Sequence, residues 1–130
     1  NVLVSAFLWQ KSLKPIYDAI RSSVVTPCFS DETLAEFKRV LRYPKFAQQL
    51  KLMGVIPDEI ERLLSSRSFF VPARENVTII PDDPSDNHIL ACALASRASS
   101  IVSGDQHLLK LKSFSGIPIL TPRQFLKTIK

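Results

Sequence analysis

Cysteine is scarce, with two residues in a chain of 130, and a single pair sets no disulfide framework at this length. Cys28 and Cys92 both sit among apolar neighbours, so each reads as a buried free thiol in a reducing compartment. No run approaches the roughly 18 to 20 apolar residues needed to span a bilayer, and no basic segment precedes the apolar opening NVLVSAFLW. A cytoplasmic location without a membrane partner is the resulting expectation. Low-complexity segments and internal repeats are also lacking, and the Pro-rich stretches are too short for linkers, which excludes a disordered tail or a repeat array.

What is present suits one folded unit. The chain is 45% hydrophobic and 22% charged, long enough to bury one sizeable core and too short to divide comfortably in two. A single domain over residues 1–130 is expected. Because position 1 is Asn and the chain opens inside an apolar run, that domain is expected to lack its extreme N-terminal residues. Seventeen Lys and Arg against twelve Asp and Glu give a charge of +5, an excess that favours a polyanionic partner and is also ordinary among basic proteins. The acids are less evenly spread: Asp82, Asp83, Asp86 and Asp105 lie in one short region.

Apolar runs without polar alternation read as strands buried on both faces, at residues 2–6, 24–28, Ser100–Val102 and 118–120. Helical spacing fills the intervals, and strands alternating with helices imply a mainly parallel sheet covered on both sides. Ser30 is placed to cap a helix over 32–41, whose first turn carries Asp31 and Glu32 and whose apolar stripe is Leu34, Phe37, Val40 and Leu41. Gly54 can close the helix around Leu50 and Met53, Pro57 opens one that turns Ile60, Leu63 and Leu64 inward, and Thr121 with Gln124 forms a capping box for the last. Residues 74–85 read as an acid-rich loop leading to a helix that starts near Asp86.

In parallel α/β sheets ligands bind beyond the carboxyl ends of the strands. Asp105 follows Ile101 and Val102 through Ser103 and Gly104, which places it there; the bland alternative is a cap for a short helix over 106–111. Asp86 opens an alanine-rich helix, where a carboxylate also serves as a cap or dipole partner. Glu36 lies on the flank of its helix's apolar stripe, and alone it reads as an ordinary surface residue. Three such carboxylates together have the oxygen-donor chemistry of a hard divalent cation, which suits phosphodiester hydrolysis.

Taken in order, NVLVSAFLW, SDETLAEFKRVLRYPKF, DDPSDNHILACALAS, IVSGDQHLLKL and ILTPRQFL resemble the PIN-domain proteins classed as toxins of toxin–antitoxin systems, over almost the whole chain. The resemblance implies a three-layer α/β/α fold with a central, mainly parallel sheet, and an endoribonuclease that binds Mg²⁺ or Mn²⁺ through three or four acids. Carried over by position, the helix glutamate is Glu36, the aspartate opening the alanine-rich helix is Asp86, and the aspartate after Ser-Gly is Asp105. Asp83 matches a further acid. Asn1 resembles the asparagine of an Asp-Thr-Asn motif at the end of the first strand, a substrate-orienting role shared with Ser103. The motif's aspartate would lie two residues before Asn1. RNA, an antitoxin protein and a second copy of the chain are the partners implied.

Lys38, Arg39, Arg42 and Lys45 are candidates for RNA-backbone contacts, against the plainer reading of a solvated helix face. His88 and His107 are left out of the catalytic set, since a metal-activated water needs no histidine. Trp9 and Tyr43 can stack on bases, but packing is the simpler expectation for both. Two rivals stand beside the nuclease: a noncatalytic scaffold of the same fold that binds RNA or protein, and a metal-dependent phosphatase or receiver-like α/β domain that forms an aspartyl-phosphate.

Overall fold

The computed structural model describes residues 2–5, 13–72 and 84–129, with side chains over 13–72 and 87–129. Its elements run β1 (Val2–Ser5), α1 (Leu13–Arg21), β2 (Thr26–Phe29), α2 (Asp31–Leu41), a 3₁₀ turn (Pro44–Phe46), α3 (Ala47–Met53), α4 (Pro57–Arg67) and β3 (Phe69–Phe70). They continue as α5 (Pro84–Ser96), β4 (Ser100–Val102), α6 (Gln106–Leu109), β5 (Ser113–Phe114), β6 (Ile117–Leu120) and α7 (Pro122–Thr128). The strands form one sheet in the order β3-β2-β1-β4-β6-β5, parallel except for the β5–β6 hairpin. The expected α/β class with a mainly parallel sheet is therefore present.

Sheet pleating divides the core. Successive strand residues point to opposite faces, and on β2 and β4 the pairs Cys28/Phe29 and Ile101/Val102 separate into different apolar clusters. Phe29 and Val102 join α1, α2, α4 and α7 through residues such as Ile16, Leu41, Ile60 and Phe125. Cys28 and Ile101 join α5 and α6 through Leu90, Cys92 and Leu108.

Local chemistry sets the helix boundaries. Ser30 and Thr33 form a buried capping box on α2: the Ser30 hydroxyl accepts the Thr33 N–H at 3.3 Å and Thr33 Oγ1 accepts the Ser30 N–H at 2.8 Å. Gly54 takes φ 72° to end α3, a left-handed angle that suits glycine, and Pro57 sits in the first turn of α4. Thr121 and Gln124 make the expected box on α7. Of the expected inward stripes, Phe37, Val40, Leu41, Ile60 and Leu64 are buried, whereas Leu34 and Leu63 are only half-buried.

Three expectations are corrected. The strand at 24–28 shifts to Thr26–Phe29, because Ser23 turns left-handed at φ 64° and the Val24 and Val25 N–H groups donate to Ala19 O, closing α1. Val24 thus belongs to the exit of a helix and is exposed. The helix over 106–111 stops at Leu109, and the chain then enters β5, whose hairpin turns through Ser115 and Gly116 at φ 50° and 81°. The first strand is found where the apolar run at 2–6 was read, ending at Ser5 beside Val102, so what is corrected is the strand end at Asn1 that the resemblance implied; Asn1 itself lies outside the described residues.

Candidate active site

The sheet topology marks one edge. From β1 the chain moves to β2 on one side and returns through α5 to β4 on the other, so the carboxyl ends of β1 and β4 flank a topological switch point. Helices that follow parallel strands start at this edge, which is where α2 and α6 begin. Because α5 feeds β4, its first turn lies at the same edge, and α5 packs on α2, β1 and β2.

Asp105 is seated here by two short contacts. Ser103, buried just past β4, donates its N–H to Leu120 O at 2.9 Å and accepts the Asp105 N–H on its hydroxyl at 2.9 Å. The Asp105 Oδ1 accepts the His107 N–H at 2.7 Å, capping α6, and His107 Nδ1 stands 3.7 Å from the same oxygen. The carboxylate stays 24% exposed, so the capping role leaves it reachable from solvent. Cap and candidate ligand are thus one residue. Asp86 falls in the first turn of α5, as expected, with its side chain outside the described set; Asp83 lies outside the described residues altogether.

Glu36 is placed differently. It lies midway along α2 with its side chain 27% exposed, and its carboxylate is paired to the Arg39 guanidinium one turn on, which also donates to the Tyr43 hydroxyl. The carboxylate in turn holds Arg39 above its ordinary pKa, first through the hydrogen bond and then through its charge. Tyr43 stands at the surface under that guanidinium, 5.8 Å from it, and not in the core. Trp9 lies outside the described residues.

The basic stretch is largely occupied with carboxylates. Arg42 pairs with Asp58 at 2.9 Å and with Glu61, and Lys38 reaches Glu61 at 3.8 Å, which together tie α2 to α4. Lys45, lying 5.2 Å from the Phe46 ring centroid, has no carboxylate partner among the described residues. Asp58 and Glu61 were missed from the sequence, where the 16- and 19-residue separations gave no local signal. Also missed were Phe69 and Phe70, exposed on the edge strand β3 with Phe70 stacked on Phe29 at 6.4 Å. An apolar groove of about 430 Å³ runs between the end of α2, α3 and the start of α4, lined by Leu41, Tyr43, Leu50 and Ile56 and by no carboxylate.

A hard divalent cation takes oxygen ligands, often several carboxylates with waters. Asp105 fits one such position, with a single N–H on Oδ1 and solvent access. Glu36 fits only by exchanging its Arg39 partner. Among the described residues no three His, Cys, Asp or Glu side chains come together, a set that leaves out Asp83 and the side chain of Asp86. Nor is any helix among them long and apolar enough to cross a membrane.

A family model described as PIN domain matches residues 1–107, from β1 into α6, and so takes in Glu36, Asp86, Ser103 and Asp105. The remainder supplies β5, β6 and α7, of which β6 completes the pairing of β4. No curated protein and no solved structure matches the chain.

Proposed function

The chain belongs to the PIN-domain family, whose members are generally nucleases, and from that premise we propose that it is a divalent-metal-dependent endoribonuclease. The observation that carries this reading is the seat of Asp105, a solvent-reachable carboxylate fixed just past β4 at the switch-point edge, inside the matched stretch. On this reading the whole domain takes the three-layer α/β/α form of the family, and Asp86, Asp105 and Glu36 would hold Mg²⁺ or Mn²⁺, with Asp83 beside them. The ion would supply an activated water and neutralise charge on the phosphodiester.

The protein's own residues do the positioning. The His107 N–H restrains the Asp105 carboxylate and the buried Ser103 hydroxyl restrains its backbone, so that the ligand needs little reorganisation. The substrate-orienting role implied for Ser103 is on this reading an indirect one, exerted through Asp105, because Ser103 is buried with its hydroxyl on the Asp105 N–H. Of the four candidate cations, Lys45 has no carboxylate partner to exchange among the described residues before it binds an RNA phosphate, whereas Arg39, Lys38 and Arg42 must exchange theirs. Phosphate contacts of this kind give affinity and register without reading sequence. In the cell we assign the chain a cytoplasmic toxin role, as a homodimer restrained by an antitoxin protein.

The Glu36–Arg39 pair favours a second reading, a noncatalytic scaffold of the same fold, because it already neutralises one ligand. Cleavage of labelled single-stranded RNA separates the two. The nuclease cuts with Mn²⁺ or Mg²⁺, stops in EDTA, and loses at least about 100-fold in rate in Asp105→Asn, the scale of losing one charge-stabilising group. Absence of metal-dependent cutting by folded protein on varied RNAs would leave the scaffold.

A further inference from the structure

Cys28 on β2 and Cys92 on α5 are 64 residues apart in sequence, yet their sulfurs lie 4.0 Å apart. Both thiols are free, and the two residues are 1% and 0% exposed. The Cys92 S–H also points to the Cys28 carbonyl oxygen at 3.8 Å, and Thr33 Oγ1 donates to Cys92 Sγ at 4.0 Å. Neither sulfur has a part in the nuclease reading. A disulfide needs its sulfurs about 2 Å closer than this contact, so closing it requires the two side chains to rotate and α5 to move toward β2.

We propose that Cys28 and Cys92 form a redox-active dithiol that closes into an intramolecular disulfide, stapling α5 to β2. The two thiols are not equivalent. The Cys92 S–H holds Cys28 below the usual thiol range against the opposing effect of burial, while the same contact and burial push Cys92 up. The Cys92 S–H, directed at the Cys28 sulfur at 4.0 Å, favours negative charge on Cys28, which makes Cys28 the attacking sulfur and Cys92 the resolving one in this proposal.

With hydrogen peroxide as oxidant, the Cys28 thiolate attacks one oxygen, the O–O bond breaks, and the released hydroxide takes a proton to become water. The Cys92 sulfur then attacks the Cys28 sulfenic sulfur, the S–S bond forms, the S–O bond breaks, and a second water leaves with the Cys92 proton. The two sulfurs together give up two electrons, which reduce the peroxide. Burial restricts the reaction to an oxidant of this size or to moments of local opening. A disulfide of this kind in a reducing compartment is a sensor rather than a fixed staple. Asp86 lies on α5, six positions before Cys92, so the bond also acts on a helix of the candidate site, a consequence that rests on the nuclease reading.

The test is full-length protein treated with a small excess of hydrogen peroxide, followed by intact mass, peptide mapping and thermal unfolding, none of which depends on nuclease activity. The expected result is a loss of two hydrogen masses, a linked Cys28–Cys92 peptide, and an unfolding midpoint raised by about 5 °C or more, because the bond closes a long loop. Dithiothreitol reverses all three, and Cys28→Ser and Cys92→Ser show none of them. Oxygen adducts in place of hydrogen loss, chains linked to one another, or a disulfide that leaves the midpoint unchanged would each overturn the proposal. If the disulfide forms in a protein that cuts no RNA, it is the nuclease reading that fails.

Discussion

Asp105 caps α6 through its Oδ1 and presents a carboxylate at the sheet edge, and two substitutions at this position separate those roles. Asparagine is as good a cap as aspartate but a much poorer ligand for a hard cation, whereas alanine removes both functions. Asp105→Asn is therefore expected to unfold within about 0.5 kcal/mol of the parent and Asp105→Ala about 1 kcal/mol below it. Both should abolish metal-dependent cleavage. Equal destabilisation by the two changes in a urea titration would show that the charge, and not the cap, holds α6. The sequence already carried both readings of this residue, because each depends on neighbours within two positions. Glu36 was different. Its i,i+3 spacing to Arg39 is local, but whether a surface glutamate faces a metal or a guanidinium depends on rotamers and on Tyr43, which no spacing rule fixes.

At the scale of elements, the same capping box occurs twice in different surroundings, at Ser30/Thr33 on α2 and at Thr121/Gln124 on α7. The first is buried, with Ser30 2% and Thr33 5% exposed, while the hydrogen bonds of the second are exposed. A lost partner costs more where water cannot replace it. Ser30→Ala should therefore cost about 2 kcal/mol, the upper end for a cap, and Thr121→Ala about 0.5 kcal/mol, the lower end. The reverse ranking by chemical denaturation would refute the burial argument. Both helix starts, the Gly54 exit and the Pro57 entry were legible in the sequence because a cap is a side chain bonded to its own nearby backbone. The two-residue strands β3 and β5 were not. Each exists only through pairing with a neighbour, Phe29↔Phe70 or Phe114↔Ile117, and two residues make no periodic pattern. Val24 was misread for a related reason: its apolar side chain fits a strand, but its N–H was already taken by Ala19 O.

For the whole molecule, the excess of five positive charges says little until the pairing is known. On α2 and just beyond it, Arg42 is divided between Asp58 and Glu61, and Lys38 also faces Glu61. Their charge is largely offset at short range, and their removal loosens the tie between α2 and α4. Lys45 has no carboxylate partner among the described residues, so its field reaches solvent. Binding to single-stranded nucleic acid weakens with salt with a slope of about 0.7 in log K per log salt for each phosphate neutralised. Lys45→Ala is accordingly expected to flatten that slope by about 0.7 while leaving the unfolding midpoint unchanged. Arg42→Ala should do the opposite, lowering the midpoint and barely moving the slope. The measurement is fluorescence anisotropy of a labelled RNA, in EDTA to prevent cutting, over a series of salt concentrations. A flattened slope in Arg42→Ala with an intact midpoint would mean that RNA draws the guanidinium away from Asp58 and Glu61, and that the α2–α4 pairs are a resting arrangement which the substrate displaces.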